Sequence, residues 1–251
     1  MRQQPALSNS REIMAAFWER KAHENPYYYI SSFQQYEQPN AEEFFAVGRE
    51  LALKHLREAG YWPQRREVML EIGCGIGRMT KTFAGLFREV HAVDISPEMI
   101  RQAQDNLREM PNATCYVGNG VDLSQFQDSQ FDFAYCYLVM QHMPTSEIVF
   151  GNIREVARVL KPGATFRFQL NTTPPRPAVI DAAVKLKSKV HDIAASALGR
   201  KAPSELHSPA WKGAQVDVKE LLQLVADNGL EVSRIDGRGT IRTWLTCVKK
   251  K

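Results

Sequence analysis

The sequence predicts an α/β fold with a seven-stranded, mainly parallel sheet and helices on both faces. Short apolar runs alternate with helix-periodic stretches between residues 68 and 170, which is the pattern of βαβ units. The first run breaks directly into three glycines at alternate positions. Two closely spaced apolar runs, at residues 230–235 and 243–248, end the chain. We expect these two runs to pair, with the last strand antiparallel.

The composition is that of a globular chain and argues against several classes of protein. The 251 residues are 44% hydrophobic and 24% charged, enough for one large α/β domain with a substantial core. A net charge of +4 falls short of a nucleic-acid-binding signature. The four cysteines include no C-x-x-C pair, which predicts reduced thiols and no metal site. No long apolar run lies near the N-terminus, so we expect a cytoplasmic protein without a membrane span.

Residues 1–60 are predicted to form an N-terminal helical arm. Ser10 is placed to cap one helix, and Asn40, followed three residues later by an acid, is placed to cap a second helix that ends at Gly60. Three consecutive tyrosines at residues 27–29 lie between the two helices. This aromatic segment is either a lid over a substrate site or simple packing of the arm on the domain, and the sequence leaves both open.

The predicted core covers residues 61–173. Its strands are expected at residues 68–72, 89–93, 114–117, 131–139 and 165–170. The fourth of these is nearly all apolar, as expected for a strand that is covered on both faces. The helix after the second strand has Ser96 as its cap and Pro97 at its first position, and it is expected to continue to about residue 110.

Residues 174–215 interrupt this alternation. Several prolines open the segment, and an apolar stripe at helical spacing follows. The pattern predicts a helical cap insertion packed on the sheet; dimer contact and membrane-surface binding stay open, so a homodimer through this helix is possible. Residues 216–251 are expected to complete the core with a helix, capped by Asp217, and two strands.

The glycine turn that follows the first strand is the most informative motif. Gly73, Gly75 and Gly77 lie at alternate positions, and Glu71 precedes them by two residues. Glycine lets a ligand approach the backbone closely, and the helix behind the turn directs free N–H groups at that ligand. Dinucleotide-binding folds space these glycines G-x-G-x-x-G. The spacing found here, with its carboxylate, suits a ligand with an ammonium group better than one with phosphates.

This turn resembles motif I of the class I S-adenosylmethionine (SAM)-dependent methyltransferases. Asp94 ends the second predicted strand, seventeen residues after Gly77. Residues 131–143 and residues 161–163 (Lys-Pro-Gly) are similar to motifs IV and V of the same family. The likeness runs from about residue 68 to residue 170 and is nearest to the small-molecule group that includes ubiquinone/menaquinone-biosynthesis-like enzymes. It implies a Rossmann-like sheet and SAM as the cofactor.

The resemblance also implies which residues bind the cofactor. Asp94 is expected to accept both hydroxyl hydrogens of the ribose. The loop after the third strand is expected to contact the adenine, with the choice between Gly120, Val121 and Asp122 left open. The set expected to contact SAM is Glu71, Gly73, Cys74, Gly75, Gly77, Asp94, Ile95, Met99, Asn119, Gly120, Val121, Asp122 and Leu138.

His142 is the candidate general base, because it follows the fourth strand near the expected position of the methyl group. The alternative interpretation is a wall residue without a catalytic role. The expected activity is methyl transfer to oxygen, nitrogen or carbon of a small organic acceptor, with no nucleic-acid partner and no integral membrane association. Two alternatives are a nucleic-acid or protein methyltransferase and a nicotinamide-dependent dehydrogenase. The N-P-P-[YF] motif of base-amino methyltransferases is absent after the fourth strand.

Overall fold

The computed structural model describes residues 7–31, 34–64, 67–174 and 209–251. Within these ranges seven strands form one sheet in the order β3-β2-β1-β4-β5-β7-β6. The strands are β1 (Val68–Ile72), β2 (Glu89–Asp94), β3 (Ala113–Val117), β4 (Phe131–Cys136), β5 (Leu160–Leu170), β6 (Leu230–Asp236) and β7 (Thr243–Lys249). Most of the predicted insertion, and with it the dimer hypothesis, lies outside the described residues.

The pairing of the strands confirms the predicted sheet. The neighbours from β3 to β5 are parallel, and β7 runs antiparallel to both β5 and β6. In the central ladder Ile72 is paired with Val93 of β2 and with Cys136 of β4. The carboxyl ends of β1, β2 and β4 therefore lie side by side at one edge of the sheet. In open α/β sheets this is the edge where ligands bind.

Eight α-helices lie in the described ranges: α1 (Leu7–Glu24), α2 (Pro26–Ile30), α3 (Ala41–Glu58), α4 (Thr80–Ala84), α5 (Pro97–Asn106), α6 (Ser146–Val159), α7 (Pro209–Lys212) and α8 (Val218–Asp227). Three of the four predicted N-caps are confirmed, and the fourth is wrong, because α1 begins at Leu7 and Ser10 lies inside it. The side chains of Asn40, Ser96 and Asp217 each accept a bond from a backbone N–H in the first turn of α3, α5 and α8. None of these helices is both long and apolar enough to cross a membrane.

Three boundaries differ from those expected. β4 ends at Cys136 rather than at residue 139, because the backbone turns at Leu138, whose φ is 58°. β5 begins at Leu160, so the Lys-Pro-Gly segment lies inside the strand rather than before it. α5 ends at Asn106, one turn earlier than its sequence suggested.

The core has one layer on each face of the sheet. On one face, α6 and α8 pack on phenylalanines of β4 and β5, including the fully buried Phe166 and Phe168. On the other face, α3 and α4 pack on Met69 and Phe133. Burial of one such side chain contributes about 1.5–3 kcal/mol, and the two layers hold the carboxyl edge of the sheet in place.

Candidate active site

The glycine turn follows β1 directly and is fixed to the neighbouring strand. The N–H groups of Gly73 and Cys74 both donate to the carbonyl of Val93, at 2.7 and 3.1 Å. Gly73 and Gly75 have φ angles of 72° and 54°, in the left-handed region that favours glycine. A Cβ at Gly73 would lie 2.0 Å from the side chain of Val139, so no larger residue fits there. The turn thus presents bare backbone at the carboxyl edge.

Asp94 is held beside this turn by the backbone of two neighbouring segments. Its Oδ2 accepts from the N–H of Gly75 at 2.9 Å, and its Oδ1 accepts from the N–H of Ser96 at 3.0 Å. Burial raises the pKa of the carboxyl group, and the backbone bonds oppose that rise. The carboxylate therefore has a fixed position between the turn and the start of α5. It lines the same cavity as the turn.

Glu71 is a buried carboxyl group in the middle of the sheet. Its Oε2 accepts from the hydroxyl of Thr80 at 2.7 Å. Burial is the main cause that raises its pKa to about 7, while the Thr80 bond and the nearby Arg78 guanidinium lower it. A carboxyl group in this state lacks a full counter-charge and faces the cavity. A bound cation would favour its ionised form.

The loop after β3 is shaped by the side chain of Asn119. Its Oδ1 accepts from the N–H groups of Val121 and Asp122 at 2.8 and 2.9 Å, and its Nδ2 donates to the Asp122 carboxylate at 2.8 Å. The side chain of Asn152 in α6 donates to the carbonyl of Gly120 at 3.0 Å. Asn119 is thus used to form the loop, and Gly120 and Asp122 reach the cavity wall.

Leu138 lies in this wall with a strained backbone. Its φ of 58° is unusual for a residue with a branched side chain. The residue stands between the end of β4 and a 3₁₀ turn at Met140–His142. Strained backbone of this kind occurs frequently at binding sites.

The cavity and its open mouth together span about 1010 Å³ of space not occupied by protein atoms. Most of the residues expected to bind the cofactor lie together in its wall: Glu71, Gly73, Cys74, Gly75, Asp94, Ile95, Met99, Gly120, Asp122 and Leu138. Three other residues expected to bind the cofactor do not line it: Gly77, Asn119 and Val121. The candidate base His142 does not line it either.

His142 lies beside the cavity wall in an aromatic cluster. Its ring packs against Trp18 and Trp211, with centroids 5.4 and 4.9 Å away. Nδ1 donates to the carbonyl of Trp211, and Nε2 lies 3.0 Å from the amide nitrogen of Gln141. Burial lowers its pKa to about 4, against the effect of the carbonyl. The imidazole is therefore neutral at physiological pH, with both nitrogens engaged.

The N-terminal arm supplies part of the cavity wall that the motifs did not reveal. Met14, Trp18, Tyr29 and Ile30 line the cavity, and a Cβ at Gly75 would lie 2.6 Å from the side chain of Ile30. The sequence leaves open whether the aromatic segment of the arm is a lid or packs on the domain, and no motif identifies these contacts. Other wall residues that sequence reasoning missed are Ile72, Arg78, Met79, Val93, Leu123, Tyr137, Val139, Met143 and Asn152.

Sequence comparison finds similarity in the region of this site. Residues 70–168 match a family model described as a methyltransferase domain. A ubiquinone biosynthesis O-methyltransferase of Xanthomonas oryzae pv. oryzae is 33% identical over 108 residues, which span 42% of this chain and 44% of that relative. The corresponding protein of Xanthomonas campestris pv. campestris is 34% identical over 108 residues, which span 42% of this chain and 44% of that relative. The chain thus matches less than half the length of these curated relatives.

Solved structures share the fold of the chain at low identity. Magnesium protoporphyrin IX methyltransferase of Synechocystis PCC 6803, with bound SAM, has a TM-score of 0.61 at 16% identity and covers 98% of this chain and 100% of its own. Phosphoethanolamine N-methyltransferase 1 of Haemonchus contortus, in complex with S-adenosylhomocysteine, has a TM-score of 0.69 at 15% identity. The match covers 98% of this chain and 50% of that one.

Proposed function

Because the core of this chain is a class I SAM-dependent methyltransferase domain, we propose that the protein transfers a methyl group from SAM to a small organic acceptor. One observation is the main support for this proposal. The glycine turn, the Asp94 carboxylate at the end of β2 and the buried Glu71 carboxyl group line one cavity at the carboxyl edge of the sheet.

The donor groups of the cavity fit SAM. The carboxylate of Asp94 is fixed beside the turn and suits the two hydroxyl groups of a ribose. Glu71 is a buried acid whose ionised form would be favoured by an ammonium group. The Gly120–Asp122 loop and the side chains of Ile95 and Met99 offer a mostly apolar slot for a flat base. SAM, when bound, supplies a methyl group on an electrophilic sulfonium.

The remaining walls support an aromatic acceptor. Trp18, Tyr29, Tyr137 and Met143 line the cavity beyond the residues assigned to the cofactor. Such walls suit a flat and largely apolar molecule. The likeness to O-methyltransferases of ubiquinone biosynthesis supports a hydroxyl oxygen as the methylated atom. The protein contributes orientation of the acceptor and exclusion of water by the arm.

Asp94→Asn tests the cofactor assignment. The substitution keeps the shape of the side chain but removes the charge that would hold the ribose, at a cost of about 1.5–3 kcal/mol. Affinity for S-adenosylhomocysteine, measured by calorimetry, should fall about ten- to a hundredfold. Asp105→Asn, in an exposed carboxylate of α5, is the matched control.

Two further results would contradict the proposal. The first is an Asp94→Asn protein that melts like the parent and binds S-adenosylhomocysteine with parental affinity. The second is a parent protein that binds NADH but not S-adenosylhomocysteine. If cofactor binding is established, incubation with SAM and a panel of phenols, amines and sugars, followed by mass spectrometry, should find methylated phenols.

A further inference from the structure

The cavity wall contains a buried arginine that follows the glycine turn directly. Arg78 is 4% exposed, and its Nε has no hydrogen-bond partner. Arg78 lines the same cavity as Glu71. Burial lowers the pKa of its guanidinium, and the largest opposing effects come from Tyr137, Tyr135 and Glu71. Arg78, Glu71 and Tyr137 thus share the wall of one cavity.

Arg78 differs from the other buried cations in its lack of a counter-ion. In the part of the chain that the structure describes, Lys21 and Arg167 are the other lysine and arginine side chains that are almost fully buried. Lys21 pairs with a glutamate at 2.7 Å. Arg167 has two carboxylates at 3.5 and 3.6 Å and a threonine hydroxyl at 2.7 Å. Over the same ranges no ion pair is formed by Arg78, although Glu71 lies nearby and bonds to Thr80 instead.

The stem of Arg78 is held in place by α3. A Cβ at Gly48 would lie 2.5 Å from Cγ of Arg78 and 2.8 Å from its carbonyl oxygen. The guanidinium carbon lies 5.4 Å from the ring centroid of the buried Phe44. Glycine in the middle of a helix destabilises the helix relative to alanine. The chain therefore accepts a weaker helix at a position where a larger residue would displace Arg78.

An isolated buried cation destabilises the folded protein unless an anion joins it. The guanidinium fork matches the geometry of a carboxylate and binds it through two parallel bonds. We propose that Arg78 is a specificity-determining residue that binds a carboxylate of a ligand in this cavity. The inference rests on the proposed function, since the carboxylate belongs either to the amino-acid end of the cofactor or to an acidic acceptor.

Ligand pairs that differ in one carboxylate test the assignment. The first pair is S-adenosylhomocysteine and its decarboxylated analogue, which keeps the amine, the thioether and the adenosine. The second pair is 3,4-dihydroxybenzoate and catechol, added to protein saturated with S-adenosylhomocysteine. Calorimetry gives an affinity ratio for each pair. The parent should prefer the carboxylate in at least one pair by about ten- to a hundredfold.

Arg78→Met should bring the affinity ratio of the preferring pair close to one, while affinity for the ligand without the carboxylate changes little. Arg78→Lys should retain part of the preference, because it keeps the charge but loses the fork. Lys81→Met, in an exposed cation three residues further along the chain, should keep the full ratio. A loss in the first pair identifies the cofactor as the source of the carboxylate, and a loss confined to the second pair identifies the acceptor.

Gly48→Ala gives an independent test that leaves the charge in the chain. The new methyl group should displace Arg78 and lower the same ratio, whereas Glu50→Ala, exposed on the same helix, should not. If Arg78→Met and Gly48→Ala proteins bind S-adenosylhomocysteine and keep both parental ratios, the assignment of Arg78 is wrong and the proposed function stands. A parent that fails to bind S-adenosylhomocysteine would overturn both.

Discussion

We expect Glu19→Ala to speed release of the cofactor, because Glu19 joins the N-terminal arm to the domain. Its Oε2 accepts from the hydroxyl of Ser96 at 2.6 Å and from the N–H of Glu98 at 3.1 Å. Both partners belong to the N-terminal end of α5, whose cap residue Ser96 lies two positions after the end of β2 at Asp94. Glu19 lies in α1, and side chains of the arm line the cavity. A ligand in the cavity is therefore covered by a segment that these bonds hold closed.

The magnitude follows from the two bonds. One hydrogen bond to a buried charged acceptor is worth about 1.5–3 kcal/mol, and because the Glu19 side chain is 33% exposed we assign this range to the two bonds together. The cost falls on the closed position of the arm. Opening of the arm should become about ten- to a hundredfold more frequent. If opening limits release, the dissociation rate of S-adenosylhomocysteine should rise by up to the same factor.

Stopped-flow displacement of S-adenosylhomocysteine by excess SAM measures this rate, with Trp18 in the cavity wall as a fluorescent reporter. Glu12→Ala, an exposed acid in the same helix, is the matched control. Hydrogen exchange over residues 7–30 should also be faster in Glu19→Ala than in this control. Parental dissociation and parental exchange in a stably folded Glu19→Ala protein would refute the reasoning.

Two further predictions concern buried titrating groups. The pKa of Glu71 is raised to about 7, so the stability linked to its proton is present below pH ~4.5 and is lost as pH rises through 7, a total of about 3 kcal/mol. The free energy of unfolding of Glu71→Gln, measured by urea titration, should therefore rise relative to that of the parent between pH 5 and pH 8. A constant difference between the two proteins over this range would show that the pKa of Glu71 is not raised. For His142, the neutral and bonded imidazole predicts that His142→Ala lowers kcat less than tenfold and that the parental rate shows no inflection near pH 6.5. A 10²–10⁴-fold loss of kcat with unchanged cofactor affinity would instead establish His142 as the general base.

Much of the fold could be predicted because its signals are local in sequence. Ser96 caps α5 through a backbone N–H three residues away, and Asn40 caps α3 over the same distance. The alternation of apolar strands and helices fixes parallel neighbours, and these bring the glycine turn and Asp94 to one edge of the sheet. The part of the candidate site that rests on this edge was accordingly visible in the sequence.

The walls that cover the edge could not be predicted in the same way. Glu19 and Ser96 are 77 positions apart, and the carbonyl that accepts from His142 is 69 positions away. No periodicity or spacing specifies such pairs, since they depend on how the arm and α7 pack on the finished sheet. The burial of Arg78 could not be predicted either. The sequence predicts that an arginine at the start of a helix is exposed to solvent, and only the contact with Gly48 in the folded chain shows that its stem is enclosed.

The end of β4 shows why a local rule failed at the site itself. An apolar run to residue 139 predicts a continuous strand, and a strand would carry Leu138 past the edge of the sheet. The backbone instead enters the left-handed region at Leu138, at a cost of about 1–3 kcal/mol for a branched residue. The turn directs Leu138 and Val139 into the cavity wall, with Val139 against the bare backbone of Gly73. Packing of this wall against the glycine turn offsets the strain, so the departure from the strand pattern coincides with the surface on which the proposed cofactor would lie.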